Sequence, residues 1–124
     1  MYLAWTAGFS AAIQLRIRDG AGNAGPGVRI GDGLYFKNGD AKPSAQAFFF
    51  PFVADPKGRR KVHVWGIAPG QGPVEIEARR GGGWKRVATV PAGQTGIFAE
   101  RVRSNDKTLR ARVGGEASLA WRIG

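Results

Sequence analysis

From Arg60 to the C-terminus the chain is written in short alternating runs separated by turn residues, and this meter constrains the fold more than any other feature. Lys61-Val62-His63-Val64-Trp65 alternates, as does Val74-Glu75-Ile76-Glu77-Ala78-Arg79. Trp84–Val90, Gly96–Val102, Leu109–Val113 and Ser118–Ile123 come next, separated by Pro91–Gln94, Ser104-Asn105-Asp106 and Gly114-Gly115. Apolar residues two apart place one face of each run in a core and the other in water. Six such strands, at intervals of about 10–13 residues with Gly/Pro/Asn turns, predict a sandwich or small barrel. A wet face on each strand makes the sheets antiparallel, because parallel sheets are buried on both sides. The expected fold is an all-β, two-layer antiparallel sandwich of fibronectin III or immunoglobulin-like character.

The front half is irregular. Ile13, Leu15 and Ile17 alternate with Gln14, Arg16 and Arg18 as a half-buried strand, and residues 19–33 read as a Gly-rich loop. Leu34–Phe36 runs into Asn38-Gly39, a strong turn pair. Pro43 suits the first turn of one short helix over residues 43–48. Pro51 makes residues 48–54 an edge strand or a linker pressed between layers. The 124 residues therefore read as a single domain, 1–124. Residues 1–54 form an arm packed on a regular core, residues 55–124. The apolar start lacks the basic lead of a signal peptide, and no window reaches 18 apolar residues.

Composition narrows the chemistry. There is no Cys and only one His, His63, so thiolate chemistry and any site with two imidazoles are excluded. Asp32, Asn38 and Asp40 lack calcium-loop spacing, and no metal or cofactor is expected. Glu75 and Glu77 lie about 7 Å apart along one strand, the separation of an inverting carboxylate pair. A flat solvated face neither raises the pKa of an acid nor encloses a sugar, so they read as exposed carboxylates facing Arg and Lys on neighbouring strands. Gly81-Gly82-Gly83 precedes a strand, not the helix a phosphate loop needs. The net charge of +10 implies retention on polyanions at low salt. Its Arg and Lys are spread over nearly every strand, so nucleic-acid binding is expected to be non-specific only. A face covered by Arg79, Lys85, Arg103 and Arg112 without Glu75, Glu77 or Glu100 among them would favour a polyanion-binding module.

Four Trp residues carry more information. Trp121 shares parity with Leu119 and Ile123 and reads as core. Trp65 shares parity with His63, and either solvent or a layer interface suits both. Trp84 comes after three glycines and stands where an indole can clear the sheet.

Residues 2–19, YLAWTAGFSAAIQLRIRD, resemble the last barrel strand and its surroundings in the (β/α)8 catalytic domains of bacterial, especially actinobacterial, glycoside hydrolases. Residues 33–54 are similar to the next stretch of those domains, a last helix with Asn38, Gly39, Lys42, Pro43, Ala47 and Phe48, then an FPF-type exit. Residues 60–121 resemble the small C-terminal β-sandwich appended to such barrels. No position matches either catalytic Glu of the family; Asp19 matches only a residue after the final strand.

The resemblance implies a secreted, non-enzymatic accessory module of a polysaccharide-degrading enzyme. Such a module would bind a glucan- or xylan-type polysaccharide through exposed aromatics, or buttress a barrel. The expected carbohydrate-binding residues are Trp84, then Trp65, with His63, Glu75, Arg86 and Gln94 as hydrogen-bonding neighbours. Residues 13–18 are expected to pair with a sandwich edge or with another subunit, which would make a homo-oligomer.

Overall fold

The computed structural model describes residues 2–8, 34–36 and 38–124. Its elements are two short helices, α1 (Tyr2–Thr6) and α2 (Pro43–Phe49), and eight strands. The strands are β1 (Phe52–Pro56), β2 (Lys61–Ile67), β3 (Val74–Arg80), β4 (Gly83–Val90), β5 (Ile97–Arg103), β6 (Thr108–Val113), β7 (Glu116–Ala117) and β8 (Trp121–Arg122). All pairs are antiparallel. One sheet has the order β1-β2-β5; the other has β4-β3-β6-β7, with β8 also on β6. The chain crosses between sheets after β2, β4 and β5, and this gives the all-β, two-sheet sandwich that the meter implies.

The core lies where the inward residues of the two sheets meet. Val62, Val64, Phe98 and Val102 come from the first sheet, and Val74, Ile76, Leu109 and Ala111 from the second. Each large side chain so buried contributes about 1.5–3 kcal/mol relative to exposure. Gly66 of β2 lies opposite both Phe52 of β1 and Phe98 of β5, and these two rings stack with centroids 6.3 Å apart. The missing side chain on the central strand makes room for that stack.

The front half departs from its expected outline in two places. The division at residues 54 and 55 falls inside β1, which joins the first sheet at its edge and so makes Pro51 the residue before an edge strand. A second helix, α1, lies over Trp65, with Tyr2 and Trp5 at 5.5 and 5.6 Å between ring centroids. The helix expected over 43–48 is α2, with its Pro in the first turn. Asn38-Gly39 closes a tight turn: Gly39 has φ 94°, and the Phe36 N–H donates to the Asp40 carbonyl at 2.8 Å. The expected strand at 13–18 lies outside the described residues.

The last expected strand is also divided. Instead of one run over 118–123, β7 pairs with the end of β6 and β8 with its beginning. Between them Ser118 is buried, its Oγ accepting the Ala111 N–H at 3.0 Å and donating to the Leu119 carbonyl at 2.9 Å. This break overturns the reading of Trp121 as core. Trp121 lies opposite Leu109 but at the open margin between the sheets, 40% exposed, and Leu119 is 38% exposed.

Candidate functional site

The six residues expected to bind sugar do not converge. Trp84, Glu75 and Arg86 face outward from the β4-β3-β6 sheet, His63 and Trp65 belong to the opposite sheet, and Gln94 lies in the connection from β4 to β5. The crossover after β2 explains the split, because β2 and β3 are consecutive in sequence but belong to different sheets.

Trp65 is not a platform. It is 1% exposed, lies opposite Val53 and Ala99 on the outer face of its sheet, and is roofed by Tyr2 and Trp5. Its indole Nε1–H is buried and finds no hydrogen-bond acceptor among the described residues. Trp84 is half-buried, with the Arg110 guanidinium 4.2 Å from its ring centroid and that of Arg79 at 5.4 Å. Cations over an indole face are attracted by its quadrupole, and here they take the surface a sugar ring would stack on.

The carboxylates around Trp84 are also engaged. Glu75 accepts from Arg86 Nη1 at 2.8 Å. The buried Glu77 accepts from Arg110 Nε at 2.7 Å and has Arg112 Nη1 at 3.7 Å. The sequence anticipates acids facing basic residues of neighbouring strands, and the register of β3 between β4 and β6 produces it. Glu77, however, is buried rather than exposed as expected, because Arg110 and Arg112 of β6 cover it. The register also answers the question of an uninterrupted basic face. Glu75 and Glu77 stand between Arg86 on one side and Arg110 and Arg112 on the other, Arg103 belongs to the other sheet, and Lys85 lies opposite the inward Ala78. The polyanion reading loses this face.

Three features escaped the sequence. The first is a lock at the end of β3, where Arg80 Nε and Nη2 donate to the two Asp106 oxygens at 2.8 and 2.7 Å and Ser104 Oγ donates at 2.7 Å. The Arg80 hydrogen bond, aided by Ser104, holds the Asp106 pKa down at about 2 against some desolvation. The second is a depression of about 470 Å³ lined by Tyr2, Lys57, Lys61, His63 and Arg101 on the outer face of the β1-β2-β5 sheet. The shared parity of Lys61 with His63 hinted at it, but only the pairing of β2 with β5 brings Arg101 alongside.

The third feature is an open groove of about 990 Å³ along the β1 edge. Its walls are mostly apolar: Leu34, Phe48 and Phe50 from the front segment, Phe52 from β1, and Leu119 and Trp121 from the C-terminal end. Leu3 at 79% and Phe49 at 53% add exposed apolar surface.

Among the described residues, no group of three or more acidic or imidazole side chains is arranged to hold a metal ion. Asn38 and Asp40 spend their polar atoms on each other, at 2.6 and 3.1 Å. No described helix is long and apolar enough to cross a membrane. No protein-family model, no curated protein and no solved structure matches the chain. Among the described residues, the surfaces of this two-sheet β-sandwich include an apolar groove along the β1 edge and the depression lined by Lys57, Lys61, His63 and Arg101.

Proposed function

We propose that the chain is a non-catalytic accessory module of a secreted bacterial polysaccharide-degrading enzyme, and that it buttresses a (β/α)8 glycoside hydrolase barrel. The apolar groove carries this reading. Apolar surface gathered in an open groove and rimmed by exposed Trp121 and Leu119 suits a docking face. One wall of the groove is made by Leu34, Phe48 and Phe50, from the segment that resembles the last helix and exit of such a barrel. The sugar-binding form of the same expectation is the weaker one, because Trp65 is buried and Trp84 lies against Arg110.

The test pairs a glycan screen with a binding assay. The chain is sedimented with insoluble cellulose, xylan and chitin, and run through soluble β-glucans, at salt high enough to suppress ion exchange. In parallel it is titrated against purified (β/α)8 glycoside hydrolase barrels, as the natural sequence and as Trp121→Glu. The buttress reading expects no glycan retention, and barrel binding that Trp121→Glu weakens about tenfold or more, as for a truncated apolar anchor. Retention on a glycan, or barrel binding indifferent to Trp121→Glu, overturns it.

A further inference from the structure

The two sheets treat their positive charges differently. On the outer face of the β4-β3-β6 sheet, Arg86, Arg110 and Arg112 all lie within 4 Å of Glu75 or Glu77. On the outer face of the β1-β2-β5 sheet the register aligns Asp55, His63 and Arg101 across three strands, with Lys61 opposite Arg103 one step along. Val62 and Val64 point into the core, so Lys61 and His63 point outward. Lys57 joins them from the adjoining turn, its N–H donating to the Lys61 carbonyl at 2.8 Å. Asp55 is the one acid of this row, and Lys57 Nζ already occupies it at 2.6 Å. Among the described residues, Lys61, His63 and Arg101 have no hydrogen-bonded or ion-paired side-chain partner.

Like charges on adjacent strands of one face repel, so this arrangement raises the energy of the empty site. The Lys57 pKa is raised, first by its hydrogen bond to Asp55 and then by the Asp55 charge, which outweigh the small opposing effect of Arg101. The depression is bounded on one side by Tyr2 of α1, whose ring packs at a tilt against Trp65.

We propose that this depression is a binding site for a tetrahedral oxyanion, a phosphate or sulfate group, held by Lys61 and Arg101 with Lys57, His63 and Tyr2 around it. The donors come from a turn, two strands and a helix and so approach from several directions. That suits an ion whose oxygens point several ways better than a planar carboxylate, which favours one bidentate fork. A nucleic-acid strand asks for more: a charged track with exposed aromatics spaced along it. Here the row is short and the indole beside it, Trp65, is buried.

The test is a backbone amide NMR titration of the whole chain, in a chloride background of constant ionic strength, with sodium phosphate, sodium sulfate, glucose 6-phosphate and glucose 6-sulfate. Saturable shifts are expected at residues 57–63 and 101. Lys61→Gln and Arg101→Gln should each weaken binding about tenfold or more, the loss of one charge-assisted hydrogen bond. Lys85→Gln, which removes the same charge from the opposite sheet, should leave it unchanged. Tighter binding of the sugar esters than of the inorganic ions identifies an esterified ligand, and equal binding identifies the free ion; both support the site. Shifts that do not saturate, that scatter over both sheets, or that weaken equally in Lys85→Gln overturn it.

Discussion

Replacing Gly66 by Ala should destabilise the sandwich by far more than one methyl group suggests. A Cβ at this position would lie 2.3 Å from Phe98 Cζ, 2.7 Å from Phe98 Cε1 and 2.6 Å from the Pro51 carbonyl oxygen. Phe98 is 1% exposed and stacked on Phe52, so its ring has little room to yield. Pro51 O accepts the Ile67 N–H at 3.1 Å, so displacing it strains the entry to β1. Overpacking of a filled core costs about 1–3 kcal/mol. A weakened hydrogen bond adds about 1 kcal/mol. The sum, near 3 kcal/mol, corresponds to a fall in Tm of about 10 °C for a chain of this length. Calorimetry and urea unfolding of Gly66→Ala measure it directly. A Phe98→Leu variant supplies the second edge of a cycle, because Leu lacks the two ring carbons that clash. Gly66→Ala should then cost at least about 1 kcal/mol less in the Phe98→Leu background. A fall in Tm below about 3 °C, or strictly additive effects, would refute the claim that the Phe52–Phe98 stack depends on glycine.

Three further outcomes rest on the same geometry. Asp106 titrates near 2 in the fold against an ordinary 3.8, so its lock with Arg80 is fully stabilising above about pH 4 and is lost as pH falls toward 2. Asp106→Asn should cost about 1 kcal/mol at neutral pH, reduced by the exposure of Arg80, and only a small part of that at pH 2, where the carboxyl is half protonated; a cost independent of pH would contradict this. Trp84→Ala should lower stability by about 1 kcal/mol through the loss of the Arg110 and Arg79 contacts, with glycan retention unaltered. A loss of about 3–5 kcal/mol would instead make Trp84 a core anchor. Replacing both Tyr2 and Trp5 by Ala should uncover Trp65, cost about 1–3 kcal/mol and shift tryptophan emission to the red; unchanged emission from Trp65 would refute the roof.

The alternation of residues 61–113 and its turns determined the strands, their antiparallel pairing and the sandwich. This is local information, since burial on every second residue and a Gly or Pro break are both written in consecutive positions. Pro43 likewise announced α2, and Asn38-Gly39 its turn. The functional surfaces were not local. His63 and Trp65 share parity, but their surroundings depended on which strand and which helix came to lie beside them. Only the folded chain put Tyr2 and Trp5 over Trp65, Arg110 on Trp84, and Arg101 next to His63. The parity of Trp121 with Leu119 and Ile123 points to the core, but Ser118 divides the strand and leaves the indole at an open margin. Which side chains a strand will carry inward is set by period two along the chain, whereas what meets its outer face is set by register between segments tens of residues apart.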